Sequence, residues 1–223
     1  MPNHANTPLL VAKFRRNARD YGIGVALRKS VKYLFVFIYE KKRYRIYAID
    51  LTRAERRPPK PDDFAYRMVL PEDKDIIRQI EDMEEWLRER VASMLGKGSV
   101  CIAAMDGGKV AGFNLVSFGD IYMIFVKKRR RFRKGEAWSE QITVNKAYRG
   151  KSLGSTLRLR MFDELRGRGI RKFYGGTMPD NEANLRLTRK VGSRELFDIE
   201  YRNIFSMKSW KYRKIPRSPA GNS

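Results

Sequence analysis

The sequence predicts a mixed α/β (α+β) fold: a central twisted sheet of mixed strand direction, flanked by helices and preceded by a basic helical extension. Three observations predict it. Apolar segments of strand length alternate with helical ones from Tyr66 to Lys208. Asp106-Gly107-Gly108 joins two apolar runs as an antiparallel hairpin, because these residues tolerate positive φ. Trp138–Val144 passes through a glycine-bearing turn into a helix, the connection by which parallel strands are joined.

In order, Gly22–Glu40 has helical spacing, with Leu27, Val31, Leu34, Phe35 and Ile38 on one side and Arg28, Lys29 and Lys32 towards the other. Such a helix can pack on the main domain or lie in an anionic membrane interface. Tyr44–Leu51 reads as a short strand, and Arg56–Asp62, with three prolines, as a linker. Residues 1–62 are therefore read as a basic extension and 63–210 as the main domain. Within that domain Tyr66–Leu70 is a strand, and Pro71–Asp75 opens a helix with early carboxylates. Glu84–Leu95 is a second helix, with Glu84 spaced to meet Arg88 and Gly96 and Gly98 after it. The hairpin strands are Val100–Met105 and Lys109–Ser117, and Ile121–Val126 is read as extending their sheet. Lys127–Lys134, basic except for Phe132, reads as a solvated loop or as a contact for phosphate-bearing groups. Trp138–Val144 is a strand, Ser152–Arg166 a helix with Leu153, Leu157, Met161 and Leu165 every four residues, and Ile170–Gly175 a strand. Asp180–Val191 is the last helix, Glu200–Lys208 the last strand, and 211–223 a frayed basic tail.

Composition restricts the chemistry. There are 48 Lys+Arg against 25 Asp+Glu, a formal net charge of +23, which draws polyanions or acidic surfaces. The basic residues are spread along the chain rather than laid on one helix, which argues against a nucleic-acid reader. His4 is the only histidine, and it lies in a polar N-terminal stretch, so a Ser-His-Asp centre or a histidine metal centre is not expected. Cys101 is the only cysteine, so no internal disulfide can form, and it reads as a core residue rather than a nucleophile. No secretory signal is read, and the longest apolar run, Tyr33–Tyr39, is far shorter than the roughly 20 residues of a spanning helix. The expectation is a cytoplasmic protein, with peripheral membrane contact as an option.

The chemistry concentrates in Ile142–Ser155. A strand entering a glycine turn and then a helix presents backbone N–H groups and the positive helix end to an anion. Gly150 and Gly154 permit close backbone approach, while Arg149 and Lys151 add charge. The spacing is neither that of a nucleotide P-loop nor G-x-G-x-x-G.

Val144 with Tyr148-Arg149-Gly150-Lys151-Ser152-Leu153-Gly154 resembles the acyl-CoA motif of GNAT acyltransferases, with Ser152 in place of the first family glycine. The helix Asn181–Gly192 resembles that family's "N-x-x-A-x-x-L-Y-x-K-x-G-F" segment, matching at Asn181, Leu187, Lys190 and Gly192 and departing at Asn184, Thr188 and Ser193. The resemblance covers roughly Ala65–Met207. It implies the GNAT fold and transfer of an acetyl group from acetyl-CoA to an amine, without a metal. It further implies that main-chain groups of Ile142 and Val144 hold the pantetheine arm and the thioester carbonyl. Arg149, Gly150, Lys151, Ser152, Leu153, Gly154 and Ser155 would hold the pyrophosphate, and Asn181 the CoA arm.

An amine must lose a proton before it attacks a thioester, and family members use a strand carboxylate or a water chain for this. Glu140 is the candidate base: two residues before Ile142, it is expected on the same strand face as Ile142 and Val144. Glu136 is the weaker candidate. Thr188 stands where the family has a tyrosine acid, leaving Tyr174, Tyr201, water or unaided departure of the thiolate. The acceptor is expected to be a small amine or amino sugar, with a phosphate or lipid link as an option suggested by the basic segments. A protein or peptide amine, or a non-catalytic module that binds anionic membrane or nucleic acid, are the alternatives.

Overall fold

The computed structural model describes residues 23, 39–59 and 62–215. Two units divide the chain. The larger comprises Tyr44–Ile199 and Arg213 onward, and the smaller has 39–43 and 200–212 among its described residues, with Ile23.

The larger unit contains β1 (Tyr39–Asp50), β2 (Ala65–Met68), α1 (Lys74–Met83), α2 (Val91–Gly96), β3 (Val100–Asp106) and β4 (Lys109–Ser117). After these come β5 (Asp120–Met123), β6 (Lys128–Arg131), β7 (Glu136–Val144), α3 (Leu153–Gly167), β8 (Lys172–Thr177), α4 (Glu182–Lys190) and β9 (Arg194–Ile204). The unit boundary falls within β1 and β9. The sheet of this unit runs β9-β1-β8-β7-β4-β3-β2. Both faces are covered, so the strands alternate between two apolar cores. Val100, Ile102 and Ala104 face one core with Leu153, Leu157, Met161 and Phe162 of α3. Cys101 and Ala103 face the other with Ile76, Ile77 and Ile80 of α1 and Leu87, Val91 and Leu95.

The hairpin forms where the Asp-Gly-Gly signal places it, β3 pairing with β4 up to Asp106↔Lys109. β7 and β8 are parallel and joined across α3, as expected. β1 is the departure. Read as a short strand of an extension, it runs from Tyr39 and lies between β8 and β9, antiparallel to β8 from Arg45↔Thr177 to Asp50↔Lys172. Two glycines of β8 make this possible. A Cβ at Gly175 would lie 2.4 Å from the Tyr47 hydroxyl, and one at Gly176 2.2 Å from the Tyr44 ring. The two β1 tyrosines thus lie flat over bare backbone, and Tyr44 Oη donates to the Gly176 carbonyl at 2.8 Å. On the β9 side Arg45 bridges Glu195 at 2.7 Å and Asp198 at 2.8 Å.

Other readings need correction. Glu84–Leu95 is not one helix: Glu84 is extended, Glu85–Leu87 forms a 3₁₀ turn, and Glu89 has φ of 59° before α2 begins. The carboxylate of Glu81 accepts from Arg90 N and Val91 N, satisfying donors at the new helix start. Glu84 and Arg88 therefore do not share the helix that the i, i+4 pairing needs. The Ile121–Val126 segment does not extend the main sheet. Lys127 adopts a left-handed conformation, the chain reverses, and β5 pairs with β6 in a separate two-stranded sheet, so part of the basic run is strand.

In the smaller unit the expected strand Glu200–Lys208 breaks at Phe205 and Ser206, both with positive φ, into the end of β9 and β10 (Met207–Lys214). Lys211–Lys214, read as tail, belong to β10. The Tyr201 and Trp210 rings lie 5.9 Å apart across this hairpin. Most of the Gly22–Glu40 helix expectation lies outside the described residues, and its last two residues begin β1.

Candidate functional site

β7 and β8 keep register only over Glu136–Trp138, pairing with Lys172–Tyr174. Beyond Trp138 the strands part, so the β8-facing edge of Ser139–Val144 has no ladder partner among the described residues, in the middle of a large sheet. Unpaired strand edges inside a fold are rare because each N–H and C=O requires a partner. Here the edge opens on a cavity of about 680 Å³ lined by Gln141–Val144, the turn before α3, and α4.

At the cavity mouth the turn has the shape an anion needs. Gly150 has φ of 84° and Ser152 of 61°, the left-handed region that serine enters at a cost of about 1 kcal/mol. Among the described residues no acceptor takes the backbone N–H of Gly150, Lys151, Ser152, Leu153 or Gly154, at the positive end of a 15-residue helix. Lys190 Nζ donates to Ser152 Oγ at 3.2 Å. Gly154 packs against Val144 and Leu187, so a Cβ there would meet Val144 at an ordinary 3.6 Å.

Of the expected binding residues, Ile142, Val144, Arg149, Gly150, Ser152, Leu153, Gly154, Ser155 and Asn181 all line this one cavity. Lys151 does not: its ammonium lies 6.0 Å from the centre of the Tyr148 ring. The Val144 carbonyl already accepts from Arg149 Nε at 3.3 Å, and the Asn181 side chain caps α4 by accepting from Asn184 N. Arg186, Lys190 and Glu84 also line the cavity. Lys190 carried a signal in its motif match. Glu84 carried none, since its place depends on the break before α2; its carboxylate accepts from Thr143 Oγ1 at 2.6 Å.

The strand face expected for Glu140 requires a correction. The β4–β7 register passes from Leu115↔Gln141 to Val116↔Ser139, so Glu140 is the extra residue of a β-bulge. Counting by twos from Ile142 therefore fails, and Glu140 is not among the cavity's lining residues. It hydrogen-bonds Ser117 and feels the Tyr44 hydroxyl, and burial pushes its carboxyl up to about 7. Glu136 is engaged elsewhere, accepting from Arg133 N at 3.0 Å and from Tyr174 Oη at 3.3 Å. That bond also removes Tyr174 from the cavity. Tyr201 belongs to the smaller unit. Thr188 is buried and donates to the Asn184 carbonyl at 2.7 Å, so its hydroxyl proton is committed to its own helix. Cys101 is fully buried, and desolvation pushes its thiol far up, as suits a core residue.

A profile of the Acetyltransferase (GNAT) family matches residues 63–192. The chain belongs to that family, whose members are acyl-CoA-dependent N-acetyltransferases. Solved structures share its fold. A GCN5-related N-acetyltransferase from Sphaerobacter thermophilus superposes with a TM-score of 0.52 at 18% identity over 78% of this chain and 56% of that one. A tandem GNAT protein from the clavulanic acid biosynthesis pathway gives 0.53 at 16% identity over 81% and 55%. The chain thus spans little more than half the length of these two proteins. Comparison with curated proteins by sequence finds no significant match.

Proposed function

We propose that the protein is a cytoplasmic N-acetyltransferase that moves an acetyl group from acetyl-CoA to a primary amine of a small molecule or amino sugar. One observation carries the reading: a parted, interior strand edge leads to five backbone N–H groups at a helix start that no acceptor among the described residues takes, with Arg149, Arg186 and Lys190 beside them. That combination suits a long ligand with an extended amide arm and a diphosphate end. Acetyl-CoA supplies the activated acyl thioester. The free edge of Ser139–Val144 pairs with the arm as a further strand would, and the turn at Gly150–Gly154 holds the diphosphate.

Glu140, which does not line the acyl-CoA cavity, accepts the proton of the attacking ammonium through a bridging water. A carboxyl titrating at about 7 is far better matched to an amine than one at 4.5. Backbone N–H groups of the β7 edge oppose the oxyanion. With Thr188 committed to Asn184, the departing thiolate takes its proton from water. Glu84 is the second candidate base, favoured by its place in the cavity beside Thr143.

The test is release of free thiol from acetyl-CoA with a panel of amines and amino sugars. Glu140→Gln is expected to lower kcat by about 10²–10⁴ with little change in CoA affinity. If Glu84→Gln produces that loss and Glu140→Gln does not, the base is Glu84.

A further inference from the structure

A second cavity lies at the other end of the same strands. Asp50, Thr52 and Arg53 at the end of β1, Arg133–Glu136 leading into β7, and Arg171 and Lys172 entering β8 enclose about 330 Å³. β7 and β8 both begin here, and β1, antiparallel, ends here. Along β7, Glu136 of this cavity and Gln141 of the first are five residues apart, about 16 Å at ~3.3 Å per residue.

Five cations converge on this space from three stretches of chain, against two carboxylates. Those carboxylates are engaged. Asp50 accepts from Thr52 N at 3.0 Å and Thr52 Oγ1 at 2.6 Å, and its nearest cation is Arg53 at 3.9 Å. Glu136 accepts from Arg133 N and Tyr174 Oη. Among the described residues Arg133, Lys134, Arg171 and Lys172 make no salt bridge with any carboxylate. Like charges gathered without counter-charges repel, and folding tolerates that more readily where a mobile anion neutralises them.

The backbone holds the cluster in shape. Arg171 N and Lys172 N both donate to the Gly135 carbonyl, at 2.8 and 3.1 Å, and Leu51 N donates to the Arg171 carbonyl at 2.8 Å. Arg166 Nε ties the Leu51 carbonyl at 3.0 Å. Gly135 has φ of 84°, and the Arg171 guanidinium lies along it, where a Cβ would meet Nε at 3.4 Å. The cations therefore sit on cross-linked loop ends rather than on one floppy run.

We infer that this cavity is an anion site that takes a phosphate ester or diphosphate group, separate from the candidate acyl-CoA cavity. Guanidinium and ammonium groups on a concave wall match the several oxygens of a phosphate, and the space suits one or two phosphates rather than a long polymer track. The group belongs either to a soluble phosphorylated molecule or to a lipid headgroup.

The test titrates inorganic pyrophosphate into the full-length protein by calorimetry, comparing Lys134→Ala/Arg171→Ala with the charge-matched control Arg78→Ala/Lys97→Ala. Wild type and control are expected to show a binding event that the cavity variant loses by about tenfold or more. Thermal unfolding of the three proteins checks that they are equally folded. Because pyrophosphate also suits the turn before α3, residual binding in the cavity variant belongs there; loss of that residual event would count against the acyl-CoA reading and leave this one standing. Sedimentation with phosphatidic acid vesicles, against phosphatidylcholine alone, assigns the source. Vesicle binding that needs Lys134 and Arg171 makes the group a lipid headgroup, and its absence beside pyrophosphate binding makes it soluble. No pyrophosphate binding at millimolar concentration, or equal binding by cavity variant and control, overturns the site.

Discussion

Glu140 couples stability to the proposed chemistry. Its carboxyl titrates at about 7 against an ordinary 4.5, because burial disfavours the charge more than the Ser117 hydrogen bond favours it. The folded pKa is raised, so its contribution to stability is complete below about 4.5 and is lost as pH rises through about 7. Glu140→Gln never ionises. It is expected to match wild type near pH 4.5 and to exceed it by roughly 3 kcal/mol above pH 8, read as the gap between urea midpoints at the two pH values. A gap independent of pH would contradict the burial of this carboxyl. Activity should run the other way, kcat/KM rising through about pH 7 as the base loses its proton. Arg158 offers a second test at this scale. It is 2% exposed, donates to Ser139 Oγ at 2.9 Å, lies 4.8 Å from the Phe173 ring centre, and has no carboxylate partner among the described residues. Desolvation lowers its pKa, so its charge opposes folding. Arg158→Met is expected to raise the urea midpoint by an amount equivalent to about 1 kcal/mol or more; a fall would show that the guanidinium is better satisfied than its contacts indicate.

At the scale of elements, the β1–β8 pair depends on bare backbone under the two tyrosines. Gly176→Ala places a methyl 2.2 Å from the Tyr44 ring, and a destabilisation of about 1–3 kcal/mol is expected by thermal unfolding. No change would mean that β1 is free to shift. This strand also shows what sequence could convey. Its existence was legible from Tyr44–Leu51, but its partner was not, because pairing across more than a hundred residues leaves no local trace. Asp106-Gly107-Gly108 was legible because turn chemistry is local. The bulge at Glu140 was not: neither glycine nor proline marks it, and the alternation that placed Glu140 beside Ile142 assumes an unbroken strand. The parting of β7 from β8 was hidden for the same reason, although the turn it leads to was readable from Arg149 to Ser155. Glu84 escaped because helical spacing concealed the positive φ at Glu89.

At the scale of the molecule, a formal net charge of +23 favours anionic ligands in general, so binding alone distinguishes little unless it is tied to place. The two cavities at opposite ends of β7 give that charge separate tasks: one beside an unpaired strand edge, the other among cross-linked loop ends. The most direct measurement is a calorimetric titration of coenzyme A into wild type and Ser152→Asp. Aspartate is among the non-glycine residues that tolerate the left-handed conformation held at this position, so the variant is expected to fold while placing a carboxylate against the diphosphate. The account predicts saturable one-to-one binding to wild type and a loss of about tenfold or more in the variant. Absence of binding to wild type at millimolar coenzyme A, or equal affinity in both proteins, would contradict it.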